Sequence, residues 1–234
     1  VNPEAVINIK NPLFANIEAA IIDLDGTMMH TAPDFHSAIN SMRDDLALPP
    51  LPIEKILLYI GKGTENLVRC SLASDYEAAE LERRFPAALA AYMLHYKQLD
   101  DRYATLYPQV IEGLKAFKAN GIRLACVTNK PLAFALALLE KSGLRPYFEV
   151  VYGGDSLPQK KPHPAQMLQV CQDFGLVPAQ VVAIGDSSND AEAARAAGCF
   201  VLNVPYGYNH GEPVQDVDSD GIVPTLLDAA HLIG

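Results

Sequence analysis

The sequence predicts an α/β chain: a parallel β-sheet with helices on both faces, interrupted after its first strand by an all-helical insert. Three observations carry this expectation. Short apolar runs recur along the chain, each flanked by Gly or Asp. Helical patterns separate the later runs, which is the signature of βαβ units with right-handed crossovers. Between the first run and the next, a long stretch shows helical spacing alone.

The first expected strand is 19–24 (AAIIDL), followed by 122–128 (IRLACVT), a weaker 148–152 (FEVVY), 181–184 (VVAI) and 199–204 (CFVLNV). Runs this short and this apolar suit strands buried on both faces. Helices are expected over 131–141, 164–174 and 190–197. Within 31–106, Ile53, Ile56, Leu57 and Ile60 share one helical face, and Leu81, Phe85, Leu89, Tyr92, Met93 and Tyr96 form a longer stripe read as helix packing. The expected division is therefore 1–30 plus 107–234 for the α/β core and 31–106 for the helical insert. Residues 205–217, rich in Gly, Pro, Tyr and Asp, read as an ordered loop over the core.

Composition narrows the function. The 234 residues are half hydrophobic and one-fifth charged, which excludes disorder as a description of the chain. The net charge is −10, with no run of five or more basic residues, so nucleic acids and anionic membranes are poor partners. No apolar run reaches the roughly 18 residues of a membrane span, and VNPEAVINIKNPLFAN lacks the pattern of a secretory signal. Cys70, Cys126, Cys171 and Cys199 form no CxxC pair, which disfavours zinc clusters and dithiol redox chemistry and fits a reducing cytoplasm. The expected state is a monomer or homodimer acting on a small molecule.

In an open parallel sheet, ligands sit beyond the carboxyl ends of the strands. Asp23-Leu24-Asp25-Gly26-Thr27 ends the first strand, Thr128-Asn129 the second, and Gly185-Asp186 the fourth, with Asp190 four residues on. Lys161 precedes a helix in a Lys-Pro-His-Pro stretch. Taken singly, each Asp is a turn former or helix cap and Lys161 a solvated charge. Together they converge on one rim, where clustered carboxylates repel unless a cation intervenes. Mg²⁺ suits few carboxylates, because it keeps waters and shares phosphate oxygens. Asp23 and Asp25, at i and i+2, can face one reacting centre.

These residues resemble the haloacid dehalogenase superfamily. DLDGT (23–27) matches its first motif, Thr128 the second, Lys161 the third and GDSSND (185–190) the fourth. The insert at 31–106 falls where that family places a cap over a Rossmann-like core. A closer similarity is to the phosphoglycolate phosphatase family, carried by TAPDF (31–35), IGKGTENLV (60–68), GGDSLPQKKPHPAQML (153–168) and PYGYNHGEPV (205–214). Two positions depart from its pattern: His30 stands where Asp is usual, and Gln109 where Gly is common.

The resemblance implies an aspartyl-phosphate mechanism. Asp23 attacks phosphorus, and Asp25 protonates the leaving alkoxide and then activates water. Thr128, Lys161 and Asn129 hold the phosphoryl oxygens. The Asp23 carboxylate, the Asp25 carbonyl and Asp186 hold Mg²⁺, with Asp190 beside them, bridged by water or orienting Lys161. The expected reaction is hydrolysis of 2-phosphoglycolate, with Lys62 as the candidate for its carboxylate. Alternatives are a sugar phosphate hydrolase or phosphomutase, phosphonate cleavage through a Schiff base at Lys55 or Lys62, and a phospho-accepting protein without turnover.

Overall fold

The computed structural model describes residues 12–234. In chain order its main elements are β1 (Ala19–Ile22), β2 (Met29–His30), α1 (Ala32–Asp45), α2 (Ile53–Leu57), α3 (Thr64–Leu72), α4 (Ala78–Leu99) and β3 (Thr105–Leu106). There follow α5 (Val110–Ala119), β4 (Arg123–Val127), α6 (Leu132–Lys141), β5 (Val150–Tyr152), α7 (Ala165–Phe174), β6 (Val181–Gly185), α8 (Ser188–Ala197), β7 (Phe200–Asn203), β8 (Gly221–Ile222) and α9 (Leu226–Ile233). The expectation that 1–16 holds no secretory signal and the assignment of residues 1–11 to the core fall at least in part outside the described residues.

The six-stranded sheet has the order β5-β4-β1-β6-β7-β8, and every neighbouring pair is parallel. β1 is central and buried along its length. Its alternation feeds two cores. Ala20 and Ile22 face Leu114 and Phe117 of α5, Leu138 and Leu139 of α6 and Leu226 of α9. Ala19 and Ile21 face Met167 and Val170 of α7 and Ala194 of α8. This double burial is why the strand reads as an unbroken apolar run.

The order reverses at β1: the chain moves out through β4 and β5, then returns to place β6 on the other side. Ile22 pairs with Cys126 of β4 and Ile184 of β6, so these three strands end level. Whatever follows them converges on one crevice, the topological switch point.

The strand expectations for 19–24, 122–128, 148–152, 181–184 and 199–204 each correspond to an observed strand, the fourth extended by one residue and the others trimmed by two. The stretch 31–106 is not helical throughout, because Thr105 and Leu106 pair antiparallel with His30 and Met29. This ribbon brings the two ends of the helical segment together. Between its strands, α1 to α4 pack around their own cluster, including Phe35, Met42, Ile56, Leu72, Phe85 and Tyr92. Gln109 has φ 60°, a left-handed conformation that glycine adopts without strain, which accounts for the Gly common at this position and not for the Gln. Among the described residues no helix is long and apolar enough to cross a membrane.

Candidate active site

Asp23 directly continues β1: its N–H donates to Ile184 O at 3.0 Å, so its direction is fixed by the ladder. Lys161 reaches in from the segment before α7 and is 4% exposed. Its ammonium donates to Asp23 Oδ1 at 2.8 Å, Asp190 Oδ1 at 2.6 Å and Val127 O at 2.7 Å. All three donors of the ammonium are thereby used. Asp190 lies in the first turn of α8, and its Oδ2 accepts from Ser187 Oγ at 2.8 Å. Asp190 thus orients Lys161 and caps its own helix.

Asp186 follows β6. Its Oδ1 accepts from Thr27 Oγ1 at 3.1 Å and its Oδ2 from Tyr208 N–H at 2.7 Å. Gly26 and Gly207 press on this carboxyl from both sides, and a Cβ at either would run into it. Gly26 also holds φ 90°, a backbone open to glycine.

Asp23, Asp186 and Asp190 each present a carboxylate oxygen within 4.8 Å of the others, and all three are buried. Burial is the main reason that the Asp23 carboxyl stands well above the usual range; the Lys161 charge opposes it, and Asp190 and Asp186 add to it. Burial and the charge of Asp190 raise Asp186 to about 7, against the Tyr208 N–H, Lys161 and Thr27 Oγ1. Burial would lower Lys161, but Asp190 and Asp23 outweigh it and hold the ammonium above its ordinary range. One lysine does not neutralise three carboxylates. The donor set is all oxygen and carries excess negative charge, which fits a hard divalent cation.

Asp25 turns the other way, toward the helical segment. Its Oδ1 accepts from Thr31 Oγ1 at 2.7 Å and from Lys130 Nζ at 3.1 Å. Thr128 Oγ1 accepts from Lys130 N–H at 3.2 Å. Asn129 spends its amide on Gly61 O at 2.8 Å and Lys161 O at 2.9 Å, while its buried Oδ1 has no partner. Gly61 O also accepts from Asn189 Nδ2 at 3.3 Å, and Asn189 donates to His210 Nε2 at 2.9 Å. A small cavity of about 40 Å³ lies between these groups and Phe35, Ile60 and Leu67 of the helical segment.

The crevice brings together Asp23, Asp25, Thr128, Asn129, Lys161, Asp186 and Asp190. It does not bring in Lys62. That side chain is exposed and does not line the cavity, although Gly61 and Gly63 do. Their φ values of 103° and 89° turn the loop so that its backbone, not Lys62, faces inward. Sequence reading passed over Lys130, Tyr96, Thr31, Asn189, Tyr208 and His210. Thr31, Asn189, Tyr208 and His210 lie inside TAPDF, GDSSND and PYGYNHGEPV, strings that carried the resemblance without being given a role of their own, whereas Lys130 and Tyr96 lie in none of them.

Comparison with known proteins accords with this geometry. A model of the haloacid dehalogenase-like hydrolases matches residues 17–198. The chain is similar to phosphoglycolate phosphatase of Nitrosospira multiformis, 48% identical over 93% of this chain and 96% of the relative. It is likewise similar to phosphoglycolate phosphatase of Thiobacillus denitrificans, at 45% identity with the same coverage. The crystal structure of a predicted phosphoglycolate phosphatase from Haemophilus somnus 129pt superposes with a TM-score of 0.89 at 34% identity, covering 94% of this chain and 99% of that one. The chain belongs to the haloacid dehalogenase-like hydrolases and is an enzyme of that family.

Proposed function

We propose that the protein is a Mg²⁺-dependent phosphatase of a small phosphate monoester, 2-phosphoglycolate, acting through an aspartyl phosphate on Asp23. The observation that carries this reading is the pairing of Asp23 with Lys161 at 2.8 Å, beside a second carboxylate two residues on, Asp25, that lines the same small cavity. Asp23 attacks the phosphorus with an oxygen whose direction β1 and Lys161 set. Asp25 faces the leaving group, protonates it as the ester bond breaks, and takes a proton from water in the second step. Thr128 and the backbone of Asn129 hold the phosphoryl oxygens, and the Lys161 ammonium, fixed beside Asp23, offsets their charge.

The Asp23 and Asp186 carboxylates would hold the cation, with Asp190 adjoining, and the Asp25 carbonyl is the further ligand that the family resemblance implies. Bound there, Mg²⁺ supplies charge neutralisation to the phosphoryl oxygens and to the crowded carboxylates. Residues 31–106 act as the cap over the core, with the β2–β3 ribbon at their base, excluding bulk water from the leaving group.

The reading rests on the family, on relatives bearing the phosphoglycolate phosphatase name, and on the crevice. A panel of phosphate esters at fixed Mg²⁺ tests it. The expected result is release of phosphate over many turnovers, highest kcat/KM for 2-phosphoglycolate, and loss of activity with EDTA. Preference for hexose phosphates would move the reading to a sugar phosphatase or mutase. A single turnover without phosphate release would make it a phospho-accepting protein.

A further inference from the structure

We propose that Lys130 is the residue that receives the substrate carboxylate and so sets specificity, an assignment that rests on the phosphatase reading above. Lys130 is 5% exposed and lines the cavity. Its ammonium lies 3.1 Å from Asp25 Oδ1 and 2.6 Å from Tyr96 Oη. Tyr96 Oη gives its own proton to Asp101 Oδ1 at 2.9 Å, so toward Lys130 it accepts. Among the described residues, Asp25 and Tyr96 are the side chains that Lys130 bonds. The ammonium also lies 3.4 Å from Asp25 Oδ2, so it straddles both oxygens of one carboxylate; with one N–H shared between those oxygens and one on Tyr96, the third of its donors is left for a ligand in the cavity.

The surroundings make that charge count. The rings of Phe35 and Tyr96 stand with centroids 4.5 and 4.8 Å from the ammonium. They shield it from water, and an ion pair formed there is stronger than one at the surface. The other cation lining the cavity, Lys161, spends its donors on Asp23, Asp190 and Val127 O.

Reach decides the substrate class. Asp25 faces the ester oxygen that leaves. In 2-phosphoglycolate the carboxylate carbon is two bonds from that oxygen. A cation in hydrogen-bond contact with Asp25 therefore meets a carboxylate on the α-carbon of the leaving alcohol, and favours 2-phosphohydroxy acids over neutral esters. Tyr96 comes from α4, so the ammonium takes up this place only when the helical segment is seated on the core.

The test compares 2-phosphoglycolate with its primary amide, phosphoglycolamide, which has the same size and no carboxylate charge. The full chain is assayed with Mg²⁺. Wild type is expected to prefer the acid by on the order of 10²-fold in kcat/KM, and Lys130→Met to bring that ratio near one, chiefly through KM for the acid. If Lys130 only positions Asp25, both esters lose rate by the same factor and the ratio survives, which overturns the assignment. Equal use of acid and amide by wild type also overturns it. Should Lys130→Met fail to fold, Lys130→Gln, which keeps donors toward Asp25 and Tyr96, is read by the same ratio. Wild type that turns over neither ester defeats the phosphatase reading itself, a result distinct from the loss of selectivity.

Discussion

Lys161 touches Asp23 and Asp190 at once, and both contacts are buried. Such a pair is costly to form and more costly to break, because removal of one partner leaves a charge without solvent. Asp190 keeps Lys161 paired when Asp23 is changed. Asp23→Asn is therefore expected to abolish turnover, by at least ~10³-fold, with the fold intact. Its melting temperature should equal or exceed that of wild type, since the carboxyl removed is one that burial and its neighbours disfavour as an anion. Phosphate release and a thermal melt on the same preparation check both parts; retention of a tenth of the activity would dismiss Asp23 as the attacking group. Asp23, Asp25, Thr128, Asp186 and Asp190 were legible in sequence because each follows a strand, and an open sheet gathers strand ends. Lys130 was not, because its meaning comes from Tyr96 and Phe35, distant in the chain and contributed by another layer. A lone lysine before a helix looks the same whether buried or solvated.

At the scale of elements, contacts from the 205–217 loop set how the helical segment meets the core. Tyr208 Oη accepts from the N–H groups of Thr31 and Ala32 at 2.9 and 3.0 Å, at the start of α1, and lies 3.2 Å from His30 Nδ1. A helix N-terminus leaves its first N–H groups without intrahelical partners, and Thr31 and Ala32 are fully buried. Tyr208→Phe deprives both donors at once. We expect a loss of about 1–3 kcal/mol, measured by urea titration, and a fall in kcat/KM as the base of the segment loosens. An unchanged midpoint would mean that water or a side-chain shift satisfies these groups. The sequence showed the loop as ordered but not what it orders, because turn residues announce a bend and not its partner. The same limit hid β2, β3 and β8, each of two residues. Strands this short carry no periodicity, whereas β1, β4 and β6, buried on both faces, stand out as apolar runs.

For the molecule as a whole, an acidic chain of net charge −10 gathers three of its carboxylates in one buried cluster. That arrangement ties stability to pH and to divalent cations. In the cation-free protein, Asp186 keeps its proton up to about 7, whereas an unfolded chain releases it near 3.9. Between those values the folded state binds more protons than the unfolded one, so this group's contribution to stability falls as pH rises through the window. A cation needs the carboxylates deprotonated, so its affinity moves the opposite way, rising with pH by up to about tenfold per unit for Asp186 alone and more steeply where the raised Asp23 also sheds its proton. The increase in melting temperature on adding Mg²⁺ should accordingly be small near about pH 5.5 and large near about pH 8, by the linkage between cation binding and folding. Scans with Mg²⁺ and with EDTA at both pH values measure it. A Mg²⁺ shift of equal size at both would mean that the cation binds away from the Asp23, Asp186 and Asp190 cluster. With Asp186→Asn the pH dependence of the Mg²⁺ effect should flatten together with its magnitude, because the same carboxyl holds both the proton and the cation.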